Sequence, residues 1–235
     1  DAVKIQTYSK GRISKKTRTS RYFEETLGQE EPIAEFLDNI IFSDDQLYEI
    51  FEYSKSLNIE MFSTPFDKIS VDFLNNLNVS GFKISSMDLV NIPLIKYVAS
   101  TKKPIIMSTG MSSIDEIDKA VELIRNHNDQ LILLQCTSCY PTNDEDVNLN
   151  VIPSLKNKYN CPIGYSGHER GIAICTSAVA LGACVIERHF TLDRTLKGPD
   201  HASSIEPIGM KDIVTRSKKI FNALGNSNKS VLDCE

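Results

Sequence analysis

The chain has 235 residues, of which 41% are hydrophobic, 24% charged and 8% aromatic, and it contains no Trp. That length suffices for one large α/β domain with a real core, and the composition is ordinary for a soluble globular protein. Thirty-one acidic against 26 basic residues give a net charge of −5, which excludes a sequence-independent pull toward nucleic acid or anionic lipid.

The first strand is predicted at residues 2–7. Residues 9–44 follow as a polar stretch, basic early and acidic late, and read as a loop-rich insertion containing the run Lys10-Gly11-Arg12-Ile13-Ser14-Lys15-Lys16-Thr17-Arg18. One short charge run reads first as a solvated loop. A helix is predicted around residues 45–51, where Leu47, Ile50 and Phe51 recur three and four apart. Strands are then expected at 59–63, 81–85 and 104–108. Ser112 and Ser113 precede Ile114, Ile117, Val121 and Ile124, a helix start with an apolar stripe. His127, between Asn126 and Asn128 at the end of that helix, reads as a surface residue. Strands at 131–136, 162–165 and 184–189 complete the series, and a last helix at 207–224 should close near Gly225.

From the second strand on, the starts lie 22 to 31 residues apart. Strands alternating with helices at this interval mean βα units and a parallel sheet, and the strands are apolar on both faces as such burial requires. No Gly-rich dinucleotide turn follows the first strand, which argues against a doubly wound sheet. Seven strands are one short of a closed barrel. The expectation is a single α/β domain over residues 1–235, a (β/α)8 TIM barrel lacking its first βα unit in this chain.

Six cysteines are scattered through the chain, with Cys161, Cys175 and Cys184 inside apolar runs. The pattern predicts reduced, buried thiols in a cytoplasmic protein rather than a disulfide framework. Cys136 and Cys139 form one C-x-x-C without the second pair that zinc or redox use would need. No apolar run reaches the length of a membrane span, so no membrane partner is expected.

In a TIM barrel the working residues sit at the C-terminal strand ends and in the loops after them. Those positions carry Lys4, Gln6, Ser63, Thr64, Lys83, Ser85, Ser86, Asp88, Ser108, Thr109, Thr137, Ser138, Tyr140, Ser166, His168, Glu187 and His189. A Lys within a strand is costly to bury unless an anion awaits it, although a snorkelling or carboxylate-paired Lys is the plain alternative. Lys4 and Lys83, converging with several hydroxyls, point to a small multiply anionic substrate. His168 and His189 close neighbouring strands. Each alone reads as a hydrogen-bonded core or rim residue, and together they make an open site for a divalent metal. Asp200 follows in the next loop, placed to orient a ligand or to take a substrate hydroxyl.

Six stretches carry a family resemblance: Phe62 through Phe66 (FSTPF), Phe82 through Ser86 (FKISS), Pro104 through Met111 (PIIMSTGM), Gln135 through Pro141 (QCTSCYP), Gly164 through Arg170 (GYSGHER) and Glu187 through Thr191 (ERHFT). In order and spacing they resemble the sialic acid synthases, a family that includes the synthases for N-acetylneuraminic, legionaminic and pseudaminic acids. The resemblance implies a phosphoenolpyruvate-dependent transferase that joins phosphoenolpyruvate to N-acetylmannosamine or a related hexosamine. It places Lys4, Gln6, Thr64, Lys83, Ser86, Ser108 and Ser166 on phosphoenolpyruvate, Asp88, Tyr140 and Asp200 on the sugar, and His168 and His189 on the metal. Lys83, Asp88, His168 and His189 are the residues it implies for catalysis. The implied cofactor is Mn2+, with Mg2+ or Co2+ as substitutes, and the implied assembly is a homodimer.

Two departures fall within the motifs. Ser85-Ser86-Met87 stands where the family has Gly-Ser-Gly, and position 138 is Ser where bacterial members often have Asn. The family's first strand would lie ahead of Asp1, and its antifreeze-like domain, which supplies an Arg to the partner's site, after Glu235. Two other readings stay open: a class I aldolase barrel with Lys83 as the Schiff-base lysine, and a barrel that binds sugar or phosphate without turnover.

Overall fold

The structure, a computed structural model, describes residues 1–9, 38–196, 198 and 200–235. The basic run at 10–18 and most of the 9–44 insertion lie outside the described residues. Among the described residues seven strands form one parallel sheet in simple sequential order: β1 Ala2–Thr7, β2 Glu60–Pro65, β3 Phe82–Ile84, β4 Ile105–Ser108, β5 Leu131–Cys136, β6 Ile163–Gly167 and β7 Ile186–Arg188. Among the described residues these helices alternate with or follow them: α1 Asp44–Ser56, α2 Lys68–Asn76, α3 Ile92–Ser100, α4 Ile114–Arg125, α5 Val151–Lys158, α6 Ala173–Ala180 and α7 Pro207–Leu224.

The sheet curls on itself. Although β1 and β7 stand at opposite ends of the strand order, Lys4 on one reaches Glu187 on the other. Register assigns the two faces. Lys4 pairs with Phe62 and Gln6 with Thr64, Lys83 with Ile106, Ser108 with Leu134, and Cys136 with Ser166 beside Glu187. These residues share the concave face, because side chains alternate along a strand. The convex face carries Met61, Phe82, Ile84, Ile105, Met107, Leu133, Ile163 and Tyr165, all buried under the helices. Each large side chain so buried contributes about 1.5–3 kcal/mol.

The helices begin where local chemistry starts them. Ser113 accepts from the Glu116 backbone N–H while the Glu116 carboxylate accepts from the Ser113 N–H, a full capping box at the start of α4. Ser43 and Gln46 do the same for α1. Asp67 caps α2 and also accepts from both the backbone and the hydroxyl of Ser9, tying the exit of β1 to the start of α2. Helix α6 packs against α7 on one side and β6 on the other. Among the described residues no helix is long and apolar enough to cross a membrane.

One expectation needs correction. All six cysteines are free, but only Cys136 and Cys175 are buried; Cys161 is half-buried and Cys184 is exposed. Both lie just ahead of a strand, β6 and β7, and Cys161 packs against the edge of the core. An apolar run there marks the approach to a strand rather than the core.

Candidate active site

The polar residues of the concave face gather at the C-terminal ends of the strands. Lys83, in the middle of β3 and 2% exposed, donates to the Ser108 hydroxyl at 2.6 Å and to the Ile84 carbonyl at 3.0 Å. Its ammonium lies 3.8 Å from Glu187 Oε2, while Lys4 Nζ lies 3.5 Å from Glu187 Oε1. Ser166 donates to the same Oε1 at 3.2 Å. One carboxylate therefore serves two lysines and a serine.

The electrostatics follow from burial and this sharing. Burial pushes the Lys83 ammonium down to about 8; Glu187 opposes the fall and Lys4 adds to it. Burial would raise the Glu187 carboxyl, but Lys83 and then Lys4 outweigh it and hold the group at about 2. The pocket thus carries two cationic side chains against one fixed anion.

The two histidines stand side by side. Their ring centroids are 5.4 Å apart, and the Tyr140 ring lies 4.0 Å from His168 and 5.8 Å, edge-on, from His189. His168 Nδ1 is 2.9 Å from the Thr137 carbonyl. A carbonyl only accepts, so Nδ1 carries the proton and Nε2 keeps its lone pair. Burial pushes His168 down to about 4, against the pull of the Thr137 carbonyl. His189 is lowered too, chiefly by burial, with Asp200 opposing; Asp200 Oδ2 stands 3.6 Å from its Nδ1.

Both imidazoles are therefore neutral near pH 7, the state in which a histidine binds metal. Thr137 fixes one ring and Asp200 stands beside the other, the outer-shell pattern that orients ligating histidines. Among the described residues no group of three His, Cys, Asp or Glu side chains forms a closed cage. This donor set fits a divalent cation held by two imidazoles with its remaining positions open to water or substrate.

The remaining candidates divide. Thr64 is buried on the concave face, in register with Gln6, which is exposed. The Ser86 hydroxyl accepts from the Gly110 N–H at 3.1 Å and contacts Cys136 Sγ at 3.5 Å, which joins the β3 and β4 loops. Asp88 is buried, and its carboxylate accepts from Ser85 and Asn91 of its own loop. Lys4, Lys83, Ser108 and Ser166 thus gather through Glu187, and His168, His189, Tyr140 and Asp200 form a second cluster whose His189 lies two residues along the chain from that carboxylate.

Two features had no assigned role in the sequence. Glu187 appeared only as one strand-end residue among many, yet it is the hub of the lysine cluster. Cys136, read as a strand terminus, turns its sulfur toward the site, 4.0 Å from both Ser138 Oγ and His168 Nδ1. The available signal was a carboxylate two residues from a histidine in a short apolar strand.

The chain is similar to several known proteins. The chain is 39% identical to the N,N'-diacetyllegionaminic acid synthase of Legionella pneumophila, across all of this chain and 68% of that protein. It is 43% identical to the human N-acetylneuraminate-9-phosphate synthase, across 83% of this chain and 54% of the human one. The chain thus spans about half to two thirds of these relatives. Among solved structures it resembles the N-acetylneuraminic acid synthetase of Leptospira borgpetersenii, with a TM-score of 0.87 and 36% identity, covering 99% of this chain and 77% of that one. Residues 1–229 match the model of the NeuB family, and the chain belongs to that family.

Proposed function

We propose that this protein condenses phosphoenolpyruvate with N-acetylmannosamine or a related hexosamine, giving a sialic-acid-type nonulosonic acid and phosphate. The observation that carries the reading is the pair Lys4 and Lys83, both held on Glu187, beside two neutral imidazoles at one mouth of the sheet. A phosphate or carboxylate entering there meets two cations and the hydroxyls of Ser108 and Ser166, at rigid strand ends. The names of the relatives support a nonulosonic acid as product.

In the proposed reaction the enol carbon of phosphoenolpyruvate attacks the open-chain aldehyde and forms the new C–C bond. Water adds at C2, and the C–O bond to phosphate breaks. Lys4, Lys83, Ser108 and Ser166 would bind and orient phosphoenolpyruvate, with Gln6, Thr64 and Ser86 completing its set. His168 and His189 would hold the divalent metal, Mn2+ before Mg2+ or Co2+. When bound there, such a cation supplies Lewis acidity toward the aldehyde and toward water. Tyr140, Asp200 and Asp88 would face the sugar, and the working assembly would be a homodimer.

The test is to incubate the complete protein with phosphoenolpyruvate, Mn2+ and candidate hexosamines while measuring phosphate release and product mass. Activity lost on chelation and restored by Mn2+ is the expected result, as is loss in His168→Ala and His189→Ala. Unchanged turnover in both variants sinks the metal assignment. A second reading draws on the depressed Lys83 ammonium, which suits a Schiff-base lysine. Borohydride trapping of Lys83 with pyruvate, without phosphate release, would favour that aldolase.

A further inference from the structure

Behind the two imidazoles lies a buried cluster that the reaction above does not use. Glu169 follows His168 and Arg188 precedes His189. Arg188 Nη1 lies 2.5 Å from Glu169 Oε1, and both side chains are at most 1% exposed. The same guanidinium donates to the Glu169 carbonyl, to the Gly171 carbonyl at 3.1 Å and to the Ser203 carbonyl at 3.4 Å. The Tyr165 hydroxyl donates to Glu169 Oε2 at 2.8 Å. Thr142 pairs with Glu169, and its N–H donates to the His168 carbonyl at 3.2 Å. The cluster thereby locks together β6, the loop after it, β7 and the turn that carries Asp200.

Stability alone explains this cluster poorly. Removing two charges from water costs so much that an apolar pair of equal volume is often as stable or more so. Among the described residues Arg188 Nε finds no acceptor, and an orphaned buried donor subtracts further. What a guanidinium–carboxylate pair supplies and an apolar pair does not is fixed direction. Each partner here is one residue from a histidine, so the ion pair sets how far the His168 loop stands from the β7 strand end.

We propose that Glu169 and Arg188 are positioning residues that hold His168 and His189 at the spacing needed to share one divalent cation. This rests on the metal reading above. The test compares full-chain wild type, Glu169→Gln, Tyr165→Phe and His168→Ala in two measurements. One is the Mn2+ dissociation constant, read from the electron paramagnetic resonance of free Mn2+; the other is the metal-free denaturation midpoint.

The wild type should bind Mn2+ and His168→Ala should not. Glu169→Gln should weaken Mn2+ binding about 10–100-fold, the effect typical of losing an outer-shell partner. Tyr165→Phe, which removes only the hydroxyl that steers Glu169, should shift it in the same direction by less. Wild-type Mn2+ affinity with a lowered midpoint in Glu169→Gln would assign the pair to stability and overturn the inference, leaving the metal reading intact. If Glu169→Gln does not fold, wild-type Mn2+ affinity in Tyr165→Phe overturns it instead. A wild type that binds no Mn2+ overturns both.

Discussion

Lys4 Nζ lies 3.5 Å from Glu187 Oε1, so an ion pair across the mouth joins the first strand of the sheet to the last. The same carboxylate neutralises Lys83, which is almost wholly buried. Glu187 thus stands where an incoming anion would otherwise complete the charge. Glu187→Gln leaves two cations uncompensated and should cost about 3 kcal/mol, the lower end for breaking a buried pair. Inorganic phosphate or phosphoenolpyruvate should restore part of that loss, and more in the variant than in the wild type. Thermal denaturation with and without added phosphate measures both effects. A variant that melts with the wild type in phosphate-free buffer contradicts this account.

The depressed Lys83 ammonium sets a pH dependence whose sign is fixed. Its value of about 8 in the folded chain lies below its ordinary 10.5, so the amine loses its charge as pH climbs through about 8. In the proposed reaction phosphoenolpyruvate is held by that charge. Its affinity for the metal-free protein should be flat below pH 8 and fall above it, approaching about tenfold per pH unit if the neutral amine binds nothing. Folding shows the opposite trend. Between about 8 and 10.5 the unfolded chain holds the proton more tightly, so the contribution of Lys83 to stability rises with pH across that window. Calorimetric titration with phosphoenolpyruvate from pH 6.5 to 9.5 tests the binding arm, and an affinity flat to pH 9.5 would contradict it.

The βα rhythm was legible because a parallel strand buried on both faces writes itself as an apolar run, and Ala2–Thr7 and Leu131–Cys136 fall at the expected residues. The 184–189 strand contracts to Ile186–Arg188, because its ladder is set by the partner residues of β6 rather than by its own composition. The histidine pair was visible because adjacent strand ends are neighbours in any parallel sheet. Glu187 was not, since its partner Lys4 lies 183 residues away. Gln6 illustrates the converse: strand alternation puts it on the concave face with Lys4, yet it stands at the open end of the strand and is exposed.

Gly164 marks where the barrel wall admits no side chain. A Cβ there would lie 2.5 Å from Leu134 Cδ2 and 2.6 Å from the Val185 carbonyl oxygen. The leucine methyl can move but the carbonyl belongs to the approach to β7. Gly164→Ala should therefore destabilise the fold by about 1–3 kcal/mol through overpacking, as read from the urea midpoint. A midpoint equal to the wild type would mean that the β6–β7 contact is looser than the structure has it.

Gly110 presents a similar crowding with a different consequence. A Cβ there would meet the Ser138 hydroxyl and would stand 2.8 Å from Ser86 Oγ. The two nearest obstacles are side-chain hydroxyls that can rotate away, and the Cys136 carbonyl oxygen stands farther off at 3.2 Å, so Gly110→Ala should lower the midpoint by less than Gly164→Ala does. The cost appears at the site. The Ser86 hydroxyl accepts from the Gly110 N–H at 3.1 Å, and a methyl beside it displaces the hydroxyl from the position proposed to meet phosphoenolpyruvate. Losing one such hydrogen bond should raise the KM for phosphoenolpyruvate about two- to tenfold, with a smaller change in kcat. Steady-state kinetics beside a urea melt separates the two glycines: Gly164→Ala should move chiefly the melt and Gly110→Ala chiefly the KM. A Gly110→Ala enzyme with wild-type KM would remove Ser86 from the phosphoenolpyruvate set.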